Sequence, residues 1–320
     1  MRPSQRAFLS GLIDYAGLFP PAALDLRPAM FTYARDRTGP DAWMLNRFIL
    51  PVSRLIELQP FLNSLDVNAP LGLSVLGYAP ASSSPEPWAN RAMRTLVDAH
   101  RFEQRSGGRI RCDRFEMRLP VELASDADAL ALTLGDLDGV FRAQGRGASG
   151  IALEVPLLEA PATVAPTAQA IAVANGRAAR DAFVLKLRCG GVTADLFPSV
   201  EMLASALVEP IRAEVPFKAT AGLHHPVRQY RDEVEAEMHG FVNVFGGAIL
   251  ARRHGLDADA LADILSDTDP NHFELGETLS WKHLSATSPD IAEARERFAL
   301  SYGSCSFDEP RDDLRQLGWL

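Results

Sequence analysis

The chain has 320 residues, 47% of them hydrophobic and 23% charged, an ordinary globular composition with ample material for a core. A formal charge of −9 argues against a general nucleic-acid binder, which needs a basic face. No run of ~20 uninterrupted apolar residues is present, so no membrane span is expected, and the broken apolar stretch of residues 1–23 does not read as a signal peptide.

In chain order, short apolar runs alternate with longer amphipathic stretches. A brief strand over 11–15 precedes a helix over 26–36. A strand over 47–51 leads to a helix over 52–65, and a strand over 71–77 to the Pro/Ser-rich loop 79–87 and a helix over 88–104. Strands over 110–119, 150–157, 182–188 and 215–220 are followed by helices over 126–143, 162–175, 199–213 and 227–238. An eighth strand, 241–245, enters a helix at Gly246. Strands that alternate with helices imply a parallel sheet, and eight repeats at this length imply an α/β fold closed into a (β/α)8 TIM-type barrel. An open doubly wound sheet is the alternative, but the Gly-rich fingerprint it would carry after an early strand is not found. The barrel is assigned to residues 1–256. A C-terminal helical extension over 257–320 packs on it, with helices near 290–298 and 308–316, the last capped by Asp308.

Side chains alternate across a strand, so parity separates the interior from the helix-facing side. With Phe115, Met117 and Leu119 facing the helices, Arg114, Glu116 and Arg118 point inward. The same reading turns Glu154 inward on the fifth strand, Lys186 and Arg188 on the sixth, Lys218 and Thr220 on the seventh, and Asn243 on the eighth. Burying an unpaired charge costs several kcal/mol, so a cluster of this kind needs a reason. The structural reason would be internal salt bridges such as Glu116–Arg118 or Glu154–Lys186. The functional reason is a site at the C-terminal end of the barrel.

Only three of the 32 basic residues are lysines: Lys186, Lys218 and Lys282. Lys282 reads as a surface or packing residue. Lys186 and Lys218 fall on adjacent strands, where a neighbouring positive charge and desolvation lower a lysine pKa and free the amine to attack a carbonyl. Glu116 or Glu154 would then move protons. The other role for the lysines is electrostatic, as a cationic floor for a carboxylate, phosphate or enolate.

Gly190 and Gly191 close the sixth strand and Gly246 and Gly247 the eighth, where backbone amides can grip an anion. His224 and His225 follow the seventh strand at the barrel mouth. They are candidates for substrate binding, or for one metal ligand plus a proton shuttle, with Asp14, Glu116 and Glu154 as oxygen donors. No metal-binding spacing appears, and no metal or cofactor is expected. The loop 79–87 and Ser304-Cys305-Ser306 are candidate lid segments, and Cys305 shows no activator in its local sequence. Three scattered cysteines, Cys112, Cys189 and Cys305, do not form a disulfide framework, which fits a cytoplasmic protein.

The strings IDYAGLFPP (13–21), LKLRCGG (185–191), PFKATAGLHHP (216–226) and GSCSFDEP (303–310) are similar to those of a bacterial protein family from which no activity carries over. Separately, lysines ending the sixth and seventh strands resemble the arrangement of deoxyribose-phosphate aldolase, a class I aldolase barrel. That resemblance implies a Schiff base on Lys186, tuned by Lys218. The local sequence departs from it, since Leu-Arg-Cys-Gly-Gly follows Lys186 in place of a Thr-rich turn and no acidic partner is identifiable at the matching position. The expected function is therefore a Schiff-base lyase acting on a small anionic carbonyl compound, with Arg118, Arg188 and Thr220 holding the anion. Alternatives are an enolate-stabilising or metal-assisted isomerase or hydrolase, and a non-catalytic anion-binding barrel. A homo-oligomer is the default for such an enzyme.

Overall fold

A computed structural model describes residues 2–80, 86–145 and 150–320. Eight parallel strands close into a barrel: β1 (Ile13–Tyr15), β2 (Leu45–Pro51), β3 (Leu71–Leu76), β4 (Ile110–Arg118), β5 (Gly150–Glu154), β6 (Phe183–Arg188), β7 (Phe217–Thr220) and β8 (Ala299–Ser304). Each strand pairs with its predecessor, and β8 pairs back to β1 through Ile13 opposite Tyr302. Helices Leu26–Asp36, Trp88–Arg105, Ala127–Ala143, Val164–Ala178 and Val200–Arg212 and a 3-10 stretch, Val52–Ser64, alternate with the first seven strands. This is the expected TIM-type (β/α)8 architecture, with further helices packed on it beyond residue 257.

The local chemistry accounts for where the elements start. Asp126, Ser199 and Asp257 each accept a hydrogen bond from the amide three residues on, at 2.9, 3.1 and 3.0 Å, satisfying one orphan donor of the helix that follows. The helix-facing side of the strands is aromatic and aliphatic. Phe115 on β4 meets Phe141 edge-on at 5.7 Å, and Phe217 on β7 stacks on Phe245 at 5.2 Å and meets Phe298 at 5.1 Å.

The eighth strand is not where periodicity puts it. Phe241 caps, and residues 242–245 belong to, a π-helical turn, Val242–Gly246, that runs into the helix Gly247–His254. All five of residues 241–245 are buried, and a short apolar run buried on every side gives no period to separate strand from helix. Ala299–Ser304 closes the barrel instead, so the barrel does not end at residue 256. Residues 221–298 form a long excursion between β7 and β8. That excursion holds a hairpin, Gln229–Arg231 with Ala236–Met238, where a helix over 227–238 was expected. It also holds the helix Ala258–Ser266, an antiparallel sheet of Phe273–Leu275, Thr278–Trp281 and Leu284–Thr287, and the helix Ser288–Arg297.

The last helix, Asp308–Gln316, begins as expected, but Phe307 holds the N-cap position and Asp308 opens the first turn. Lys282 is a surface residue, 3.5 Å from Asp267 and 4.2 Å above the Trp281 ring. Among the described residues no helix is long and apolar enough to cross a membrane.

Candidate active site

Parallel register puts Glu154 beside Lys186 and Lys186 beside Lys218 on β5, β6 and β7, with Arg118 beside Glu154 on β4. Their interior parity turns three of the four toward the barrel axis, where they join Glu116 in one buried chain of charges. Lys186 Nζ lies 2.7 Å from both Glu116 Oε2 and Glu154 Oε2. Lys218 Nζ donates to Glu116 Oε1 at 2.5 Å and to Asp14 Oδ2 at 2.7 Å. Hydroxyls complete the shell: Ser74 donates to Glu116 at 2.5 Å and Ser301 to Asp14 at 2.7 Å. Arg188 Nε caps the other end by donating to Glu154 Oε1 at 3.2 Å.

The chain therefore alternates in sign from Asp14 through Lys218, Glu116, Lys186 and Glu154 to Arg188. Each charge is matched where it sits, which is the condition for keeping ions out of water. Of the two salt bridges considered from sequence, Glu154–Lys186 is present, whereas Arg118 reaches outward to Glu159 at the rim.

The electrostatics follow from this alternation. Burial would raise the Glu116 carboxyl, but the ammonium groups of Lys186 and Lys218 hold it well below the ordinary range. Burial likewise opposes the charge on Glu154, and Lys186 and Arg188 prevail in lowering its pKa. For Lys186, burial disfavours the ammonium, and the two carboxylates outweigh it and raise the pKa above the usual lysine value. The lowered lysine pKa expected from two adjacent ammonium groups is thus reversed at Lys186 by the glutamates between and beside them. Arg114, also interior, is lowered to about 10 by burial.

These shifts fix a pH window. The glutamates contribute stability above the ordinary value of 4.5 and lose that contribution as pH falls below it through their depressed folded values. Lys186 contributes fully below 10.5 and loses that contribution as pH rises through its raised folded value. Urea unfolding between these limits should be flat with respect to this network. Below them the acid slope should approach about 1.4 kcal/mol per pH unit for each carboxylate. Glu154→Gln should make that slope shallower; an acid limb identical to wild type would show that Glu154 is not held ionised by folding.

Above the charges, at the C-terminal end of the strands, lies a cavity of about 1040 Å³. Glu116, Glu154, Lys186, Arg188 and Thr220 reach it from the strands, Gly191 and His224 from the loops and Cys305 from the end of β8, with Arg118 at its rim. Residues 79–80 and 86 also line it; residues 81–85 of the candidate lid 79–87 lie outside the described residues.

The remaining predicted site residues lie elsewhere. Asn243 is buried in the helix after the hairpin, where its amide donates to the carbonyls of Ile264 and Asp267 and its oxygen accepts from the Arg228 amide. Gly246 and Gly247 are inside helices and end no strand, and a Cβ on Gly247 would press on Ile264 and Leu261 at 3.1 Å. The Gly190–Gly222 pair is a close backbone crossing: a Cβ on either would come within 3 Å of the other's Cα. That packing accounts for these glycines without a bound anion. His225 is buried against Asp313, at 2.5 Å, rather than facing the cavity.

Other candidates were given a different role from sequence or none. Asp14, weighed there only as an oxygen donor to a metal, sits on a strand of three residues, too short for parity to turn it inward. Ser301 belongs to β8, a strand that the sequence reading does not assign. Cys305 lies with its Sγ 4.0 Å from His224 Nδ1, and that same nitrogen is 2.9 Å from Glu309 Oε2. Burial opposes charging of His224, but Cys305 and Glu309 lift its pKa to about 9. By contrast, burial pushes the thiols of Cys112 and Cys189 up to about 12, which leaves them inert. Comparison of the sequence with models of protein families gives no match, and comparison with curated proteins gives none either.

Proposed function

We propose that the protein is an enzyme for a small anionic carbonyl compound, a carbon–carbon lyase that holds its substrate as a Schiff base on Lys186. One observation carries the reading: of the three lysines only Lys186 lines the cavity, with its Nζ 2.7 Å from two carboxylates. Proton transfer from Nζ to Glu154 makes a free amine and a neutral acid in one move. The amine adds to the substrate carbonyl, and the acid returns its proton to the oxygen as the carbinolamine forms. Loss of water leaves an iminium, which draws the electrons of the breaking carbon–carbon bond into an enamine while the hydroxyl of the departing fragment gives its proton to the Glu154 carboxylate and becomes a carbonyl. Lys218, one step deeper and held by Asp14, keeps Glu116 ionised, and Arg188 offers the substrate anion a guanidinium at the cavity wall. The placement of the two lysines on β6 and β7 is similar to that of deoxyribose-phosphate aldolase, which supports the assignment at the level of position only. On this reading the protein works in the cytoplasm, as its three free cysteines suit, and as a homo-oligomer.

The raised pKa of Lys186 favours a second reading, in which the lysine stays an ammonium and stabilises an enolate without a covalent bond. Borohydride reduction with a panel of aldehydes, 2-oxo acids and sugar phosphates separates the two. Intact mass and peptide mapping should find a reduced adduct on Lys186 that is absent from Lys186→Met. An adduct on Lys218 would exchange the roles of the lysines. Turnover of a panel compound without any adduct would remove the covalent step in favour of the enolate reading.

A further inference from the structure

The motif residues left over from the lysine chemistry meet at one point on the cavity wall. β7 and β8 are neighbours in the barrel, with Gly303 opposite Thr220. The chain leaves β7 through Ala221 and Gly222, both at positive φ of 59° and 70°, a conformation that costs a non-glycine residue such as Ala221 and that collects at functional sites. This turn sends His224 back toward the end of β8. Cys305 follows β8 directly, and Glu309 stands in the first turn of the helix Asp308–Gln316. His224 Nδ1, Cys305 Sγ and a Glu309 carboxylate oxygen all lie within 4.8 Å of one another.

The orientation of the imidazole decides what this cluster suits. In a nucleophile–base–acid relay the imidazole uses one nitrogen for the thiol and the other for the carboxylate. Here the same nitrogen, Nδ1, faces both Cys305 and Glu309. Three donors of different kinds aimed at one point is the arrangement that coordinates an ion. Zinc holds nitrogen, sulfur and oxygen ligands at about 2.0–2.3 Å, and four-coordinate catalytic sites use three protein ligands and leave one position open. His224 and Cys305 line the cavity whereas Glu309 does not, so the open position faces the space above Lys186. The cations of the floor do not oppose an ion there, because Lys218, Lys186 and Arg188 are each paired with a carboxylate.

We propose that His224, Cys305 and Glu309 form a binding site for a zinc-class divalent ion whose open coordination position faces the cavity. The mixed N, S and O donor set suits zinc or cobalt over magnesium or calcium, which take oxygen ligands. The thiol binds as thiolate, so loading releases a proton. The site stands independently of the reading of Lys186, since ion binding is measured without turnover.

The test uses the full-length protein stripped with chelator and reloaded with Zn²⁺ or Co²⁺. Elemental analysis after dialysis should find one ion per chain. The cobalt protein should show the thiolate-to-cobalt charge-transfer band and the intense visible bands of a tetrahedral site. Zn²⁺ should also slow alkylation of Cys305 by iodoacetamide. Cys305→Ser should abolish the charge-transfer band, and His224→Ala should weaken Zn²⁺ binding by at least ~100-fold, the upper end of what loss of an outer-shell partner costs. A wild-type cobalt spectrum without the thiolate band, or alkylation of Cys305 undiminished by Zn²⁺, would overturn the proposal, and both readouts hold even where a variant fails to fold. Borohydride trapping at Lys186 is unaffected by either result, so failure of the ion site and failure of the lyase reading remain distinct.

Discussion

Replacing Glu116 with glutamine is expected to lower folding stability by about 3–5 kcal/mol, the range found when one partner of a buried ion pair is removed. Glu116 is the centre of the charge chain: it faces Lys186 through one oxygen and takes Lys218 and Ser74 on the other. Glutamine keeps the size but not the charge. Lys186 would be left with Glu154 alone and Lys218 with Asp14 alone, so two buried ammonium groups would lose the anion they share. A loss of this size is a large fraction of the ~5–15 kcal/mol that holds a domain folded. The urea midpoint at neutral pH is the measurement. The double substitution Glu116→Leu with Lys186→Met removes an anion and a cation together and leaves Lys218 paired with Asp14 and Arg188 with Glu154, so it should cost less than Glu116→Gln despite being the larger change. A midpoint for Glu116→Gln within about 0.5 kcal/mol of wild type would mean that the network does not stabilise the fold through charge.

Lys186→Met is expected to show the opposite balance, with a large loss of catalysis and a smaller loss of stability. Its two carboxylate partners keep other cations, since Glu116 retains Lys218 and Glu154 retains Arg188. Turnover of a carbonyl substrate should fall by at least ~10³-fold, whether the lysine is a nucleophile or an electrostatic donor to an oxyanion. Lys186→Arg separates the two. Arginine keeps the positive charge between the glutamates but has no amine to form an imine at neutral pH. It should be as inactive as the methionine variant if the Schiff base forms, and should keep part of the activity if the charge alone matters. Wild-type turnover in Lys186→Met would remove the lysine from the mechanism altogether.

Both expectations depend on how the interior was assembled, and part of that assembly is legible in the residues. The alternation of apolar runs with amphipathic stretches gives the parallel sheet. Within β4 to β7 the two-residue period separates Phe115, Leu185 and Phe217 from Glu116, Lys186 and Lys218, because a strand buried on one face by helices must put its aromatic and aliphatic residues there. The scarcity of lysine marks Lys186 and Lys218 before any contact is known. These are local properties, and a local pattern survives folding when the surrounding structure has no reason to override it.

Barrel closure is not local. Residues 241–245 are as apolar as any strand of the protein, and they are helical because they pack against Phe217, Tyr302 and the helix Ala258–Ser266 on all sides. Residues 299–304, with two serines and a glycine, give no clear strand pattern, and they are a strand because the gap between β7 and β1 has to be filled by backbone hydrogen bonds. The sign of the Lys186 pKa shift was decided in the same way. Adjacent lysines by themselves predict a lowered value, and only the packed barrel brings Glu116 between them. His224 and Cys305 are 81 positions apart, and no spacing in the chain reports that β7 and β8 are neighbours. The sequence by itself determined that β4 to β7 carry charge inward, but not that β1 does through Asp14. The tertiary structure alone decided which charges neutralise one another and which side chains share the cavity, because those contacts are made between strands whose adjacency exists only once the barrel has closed.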